Sequence, residues 1–105
     1  MQNISVSQSF DIRKQNSGIP LIDVRTPAEY ESIHANGAVN HPMESLQVEK
    51  IPFSKDEEIH VICQSGGRSM KVSQKLEAAG FTNIVNIDGG TSAWHATGLP
   101  VVERK

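Results

Sequence analysis

The chain has a single cysteine, Cys63, among its 105 residues. One thiol excludes an internal disulfide and any multi-cysteine zinc site, so its chemistry must finish on an external thiol or nucleophile, which points to a reducing compartment. Long hydrophobic runs are also missing. No stretch approaches the length of a membrane span, and Met1 to Lys14 has no apolar segment of the kind a leader carries, so a cytoplasmic chain with no membrane role is expected. Nor is either charge in excess: ten Lys and Arg stand against twelve Asp and Glu, a formal net charge of −2. The densest group, Lys55 to Glu58, is short and mixed in sign and reads as a solvated turn, so nucleic acid is not expected as a partner. Repeats, linkers and low-complexity tracts are absent. What remains is an ordinary globular balance, 37% hydrophobic and 21% charged, expected to form one domain over residues 1–105 that buries about two-thirds of its unfolded surface.

Cys63 stands where the apolar run Ile59–Cys63 meets Gln64, Ser65, Gly66, Gly67, Arg68 and Ser69. A thiol at a strand end, with a helix beginning just beyond, faces amide N–H groups and the positive end of a helix dipole, and both favour the thiolate. Two glycines let successive amides turn inward without a Cβ clash and so form a concavity for an anion, with Arg68 adding positive charge at its margin. The competing reading is a buried strand cysteine before a plain turn, since free cysteine is often buried. A plain connection, however, has no need of Ser-Gly-Gly-Arg-Ser directly after the thiol.

Short apolar runs alternate with amphipathic segments. Strands are predicted over Ile4–Val6, Pro20–Val24, Ala38–Asn40, Ile59–Cys63 and Asn83–Ile87. Consecutive apolar residues in the second and fourth suit a parallel sheet covered on both faces, hence an α/β fold. Ser7 is expected to cap a helix over Gln8–Gln15, and Thr26 with Pro27 to open a short helix through Ser32. Ser45 is placed at the start of a brief turn. From Gly67 to Ala79, Ser69, Val72, Leu76 and Ala79 share one helical face; Gly80 stops this helix and Phe81 folds back on it. Asp88-Gly89-Gly90 reads as a turn, and Thr91 as the cap of a last helix carrying Trp94.

These segments resemble the single-domain rhodaneses, the thiosulfate sulfurtransferase-like proteins. The resemblance rests on Leu21-Ile22-Asp23-Val24-Arg25 with Pro27 and Glu29-Tyr30; His34 with Gly37-Ala38 and Asn40; Val61 to Ser69; then Leu76, Gly80-Phe81, Val85, Gly89-Gly90 and Trp94. It covers nearly the whole chain. It implies a single rhodanese-like domain, a five-stranded, mainly parallel sheet with helices on both faces, and a sulfurtransferase needing no cofactor or metal. By the same resemblance Cys63 is the nucleophile that takes the outer sulfur of thiosulfate or a similar small anionic donor as a persulfide and yields it to a thiol, possibly a protein thiol, or to cyanide. Gln64, Ser65, Gly66, Gly67, Arg68 and Ser69 form the loop that holds it, and Asp23 and Arg25 fall at the pocket rim.

The Cys-x4-Arg spacing is one residue shorter than in related folds acting on phosphate or arsenate, which argues against those activities. A non-enzymatic module or dedicated persulfide carrier stays open beside the enzyme. Gln64 is neutral where several thiosulfate-using members have a basic residue, so another donor is in view. Arg68 either meets the donor's oxyanion end or ties the loop to a carboxylate. Arg25 and Glu29, four apart, are expected to form a salt bridge. Tyr30, Phe81 and Trp94 are read as core, and His34, His41, His60 and His95 carry no general-base role. Asn36, His41 and Met70 to Ser73 depart from the family pattern in ways that touch local packing.

Overall fold

The computed structural model describes residues 1–104. Its strands are β1 (Gln2–Ile4), β2 (Leu21–Asp23), β3 (Ile33–Ala35), β4 (Ala38–Asn40), β5 (Ile59–Ile62), β6 (Ile84–Ile87) and β7 (Val101–Glu103). Its helices are α1 (Val6–Gln15), α2 (Pro27–Ser32), α3 (Gly67–Ala78) and α4 (Gly90–Ala96), with 3-10 turns at Met43–Ser45 and Val48–Lys50. Five strands form one sheet in the order β1-β6-β5-β2-β4, every neighbouring pair parallel.

Side chains in the central strands alternate between two apolar layers. Ile22, Val24, Ile59 and Val61 pack with Val72 and Leu76 of α3 and with Leu46 beside the 3-10 turns. Leu21, Ile62 and Ile87 pack on the other side with Val6 of α1 and Trp94 of α4. Every residue of β2, β5 and β6 is buried, the condition that makes a parallel strand read as a continuous apolar run. Among the described residues no helix is long and apolar enough to cross a membrane.

The start of the chain differs from the sequence reading. β1 ends at Ile4, and the N-cap of α1 is Ser5, not Ser7: the Ser5 side chain accepts from the Gln8 amide at 3.1 Å while Gln8 Oε1 accepts from the Ser5 amide at 2.8 Å. Such a capping box needs an acceptor side chain three residues on. Ser5 has Gln8 there; Ser7 would have had Phe10. Ser45 ends its 3-10 turn instead of starting one. Two strands escaped the reading altogether: β3 and β7 pair antiparallel as a separate ribbon, with His34 opposite Val102. Thr26 does cap α2, in a box with Glu29.

Candidate functional site

Cys63 follows directly on β5, and its side chain is only 1% exposed. Gly66, at φ 113°, precedes α3 in the left-handed region that only glycine adopts without strain. The turn made there carries the Gly66 N–H back onto Cys63 Sγ at 3.1 Å. Ser69, on the first turn of α3, sets its hydroxyl 3.3 Å from the same sulfur and donates to the Gly66 carbonyl at 3.0 Å. The helix's first internal bond runs from the Met70 amide to Gly66 O, so the amides before it have no helical acceptor and serve the loop. Burial alone would raise the thiol pKa. Hydrogen bonds from the Ser69 hydroxyl and from the amides of Ser69, Gly66 and Ser65 outweigh it and bring the pKa below the ordinary value.

The loop is held from behind by α4. The Cys63 carbonyl accepts from Thr91 N at 2.8 Å and Thr91 Oγ1 at 3.1 Å, and Gln64 O accepts from Ser92 N at 3.1 Å. Thr91 is therefore not the cap of α4; Gly89 takes that place at φ 79°, and Thr91 lies inside the helix with its polar atoms on the Cys63 backbone. Gly90 is required by contact: a Cβ there would stand 2.7 Å from Gln64 C and O and collide with Cys63 O. The sequence reading treated this segment as a turn and missed its part in supporting the loop.

Asp23 and Arg25 are not at a rim. They are 0% and 1% exposed, and Arg25 donates to Asp23 through Nε at 3.1 Å and Nη2 at 2.9 Å. Nη2 also reaches the Ile33 carbonyl, and Nη1 donates to Gln64 Oε1 at 3.1 Å. Gln64 in turn donates through Nε2 to Ser92 Oγ at 2.8 Å. A buried ion pair thus supports the loop from below, with Gln64 as the connecting side chain. Burying a charge without such partners would be costly.

The expected Arg25–Glu29 bridge does not form. Arg25 precedes the Thr26 cap in extended backbone and turns to Asp23, while Glu29 receives Arg68: Nη1 to Oε1 at 2.7 Å and Nη2 to Oε2 at 2.9 Å. Contact with Arg68, helped by Thr26, holds the Glu29 carboxyl down to about 2, and the same pairing raises the Arg68 pKa. Of the two roles open to Arg68, the geometry shows the tie to a carboxylate.

Among the described residues no histidine is hydrogen-bonded to Cys63 Sγ, whose partners are Ser69 and Gly66. His34 bonds the Tyr30 carbonyl through Nδ1 at 2.7 Å and stacks on the Tyr30 ring at 3.8 Å. His60 is buried between Ser9 and Glu58, at 2.6 and 2.7 Å. His41 is partly buried on the far side of β2, and His95 is exposed. Trp94 and Phe81 are core; Tyr30 is half-buried, its hydroxyl on Ala38 O. Among the described residues no three His, Cys, Asp or Glu side chains gather as a metal site. What the arrangement offers is one thiolate-favouring sulfur surrounded by N–H and O–H donors, suited to attack on a soft electrophile and to holding an anion bonded to Sγ.

Comparison with known proteins gives a match of residues 8–97 to the rhodanese-like domain. The chain is 38% identical over 110 residues to "Thiosulfate sulfurtransferase 16, chloroplastic" of Arabidopsis thaliana, covering 93% of this chain and 90% of that protein. A "Sulfurtransferase" of Allochromatium vinosum is 34% identical over 82 residues, 78% of this chain and 77% of the other. The crystal structure of a rhodanese-like domain protein from Staphylococcus aureus superposes with a TM-score of 0.84 at 28% identity, covering both chains completely.

Proposed function

Because the chain belongs to the rhodanese-like domain family, and its relatives include named sulfurtransferases, we propose that it transfers a sulfane sulfur through a persulfide on Cys63. In the first half-reaction the Cys63 thiolate attacks the outer sulfur of thiosulfate or a similar donor. The donor S–S bond breaks, its electron pair leaves on sulfite, and the outer sulfur is bonded to Sγ. In the second, a thiol or cyanide attacks that terminal sulfur and the Cys63 thiolate returns, so no oxidant, reductant or cofactor is consumed.

The observation that carries this reading is the set of contacts at Cys63 Sγ, which accepts from the Gly66 N–H at 3.1 Å and as a thiol donates to Ser69 Oγ at 3.3 Å, a hydroxyl that can turn to the sulfur once the proton has left. Thiolate, persulfide and leaving anion all bear negative charge at or next to this sulfur. The Gly66 N–H dipole is already aimed at the sulfur and stabilises each of them without reorganising, and the Ser69 hydroxyl adds a second donor by rotating about its C–O bond. A general base is unnecessary when the thiolate is already favoured. The partners proposed are thus small: an anionic donor and a thiol or cyanide acceptor, with neither nucleic acid nor membrane involved. A reducing, cytoplasmic setting suits the lone cysteine.

Intact-mass analysis after incubation with thiosulfate, beside Cys63→Ser and followed by a cyanide chase, tests the proposal. One added sulfur that requires Cys63 and leaves as thiocyanate is expected. No added sulfur from thiosulfate or from alkyl persulfides overturns it.

A further inference from the structure

Two arginines touch the Cys63 loop, and both are already neutralised. Arg25 commits Nε and Nη2 to Asp23 and Nη1 to Gln64. Arg68 commits both ends of its fork to Glu29. Arg68 lies close enough to feel the Cys63 charge, but it also feels Glu44, a further carboxylate. Glu29 is not free to swing away, because Oε1 simultaneously accepts from Thr26 N at 3.1 Å and Thr26 Oγ1 at 3.0 Å in the α2 capping box. Gln64, beside the nucleophile, is uncharged, and both ends of its amide are occupied by Arg25 and Ser92.

The donors that point at the sulfur are therefore dipoles, not cations. Dipoles serve a bound sulfur anion of any origin. They do little, however, for a second charge carried further out on the incoming molecule. Thiosulfate brings two negative charges to a thiolate, twice the repulsion of a donor bearing one at equal distance.

Resting on the sulfur-transfer reading of Cys63, we propose that Glu29 sets donor preference: by holding Arg68 in a closed ion pair, it makes the site favour alkyl persulfides, which carry at most one negative charge, over dianionic thiosulfate. Either donor obeys the same balance. The outer sulfur forms a bond to Sγ, the donor S–S bond breaks, and its electron pair departs on an alkanethiolate or on sulfite. Glu29 is a positioning residue here, acting only through Arg68.

Glu29→Gln is the decisive variant, since glutamine keeps the capping box while removing the charge that engages Arg68. Second-order rates of Cys63 loading, read by quenched intact mass, are compared for thiosulfate and for the persulfide of 2-mercaptoethanol. The expected result is a shift of the rate ratio toward thiosulfate by about tenfold, the scale of one charge-assisted hydrogen bond. Adding Arg68→Ala to Glu29→Gln should return the ratio to that of the unaltered protein. A ratio unmoved in folded Glu29→Gln, or moved equally in the double variant, overturns the proposal. The unaltered protein supplies an independent measurement. Repulsion between like charges is screened by salt, so thiosulfate loading should accelerate as sodium chloride is raised; slowing would reveal an unpaired cation and overturn the proposal. Failure of both donors to load Cys63 would instead sink the sulfur-transfer reading itself.

Discussion

Arg68 and Glu29, 39 residues apart in sequence, meet fork to fork at 2.7 and 2.9 Å and join the first turn of α3 to the first turn of α2. The Cys63 loop is thereby braced from outside while α4 anchors it from behind. Both side chains are about a third exposed, at 30% and 34%, so solvent screens the pair and its contribution is modest. Arg68→Ala should lower unfolding stability by about 1 kcal/mol in urea titration. It should not shift the thiosulfate-to-persulfide rate ratio toward thiosulfate, because the charge removed was never available to the donor and the Glu29 carboxylate left unpaired repels a dianion. A selective loss of thiosulfate use that persists when Glu29→Gln is added would show that Arg68 reaches the donor.

Ser69→Ala removes the hydroxyl that is the strongest of the influences lowering the Cys63 pKa, second in size only to the opposing effect of burial. The expected outcome is a thiol pKa displaced upward and alkylation by iodoacetamide at pH 7 slowed about tenfold, on the scale of a lost hydrogen bond to a charged group. Ser69→Thr, which keeps a hydroxyl, should recover much of the rate. A pH profile of alkylation identical to that of the unaltered protein would remove Ser69 from any part in thiolate formation.

Two glycines near the thiol predict opposite results. Gly90→Ala would drive a methyl group into Cys63 O and the Gln64 carbonyl at a φ of 58°, and should cost at least about 2 kcal/mol while displacing the loop. Gly67→Ala meets nothing within 4 Å and sits at the first position of α3, where alanine should be neutral or stabilise by about 0.5–1 kcal/mol. Thermal melts of both variants check the contrast.

His60 predicts a pH dependence unrelated to the thiol. Burial, aided by Arg13, holds its pKa below the ordinary value against the opposing pull of Glu58, so the folded protein prefers neutral imidazole while the unfolded chain titrates near 6.5. As pH falls below about 6.5 the unfolded state takes up a proton that the folded state refuses, and stability declines. Glu29 acts in a lower window: its carboxyl, at about 2 when folded, supports the fold above the ordinary carboxylate range and loses that contribution only as pH falls toward 2. In urea titrations between pH 7.5 and 5, His60→Gln should flatten the slope. An unchanged slope would assign it to other groups.

Much of this architecture was legible because burial on both faces leaves a plain trace. Leu21–Asp23, Ile59–Ile62 and Ile84–Ile87 read as apolar runs, and the spacing of Ser69, Val72 and Leu76 gave the buried face of α3. Gly66-Gly67 after Cys63 announced the turn that carries an amide back onto the sulfur. What escaped depended on partners distant in sequence. β3 and β7 are three residues each, too short for alternation to show, and each is a strand only because the other lies beside it. The rule that residues four apart meet holds inside a helix; Arg25 lies before the α2 cap, where extended backbone aims it at Asp23. Glu29 was thus left for Arg68, a pairing that only the approach of α2 to α3 creates. Thr91 looked like a cap because its hydroxyl needs a partner, and the partner proved to be the Cys63 carbonyl.

The small ribbon has a mechanical consequence. Glu103 in β7 lies opposite Ile33 in β3, the Ile33 carbonyl receives Arg25, and Arg25 holds Gln64, the neighbour of Cys63. Tension applied to the chain beyond β7 would travel through three non-covalent links to the residue beside Cys63. A tether or fused domain joined there would pull on the site, and a rigid one would transmit more of its load than a slack one.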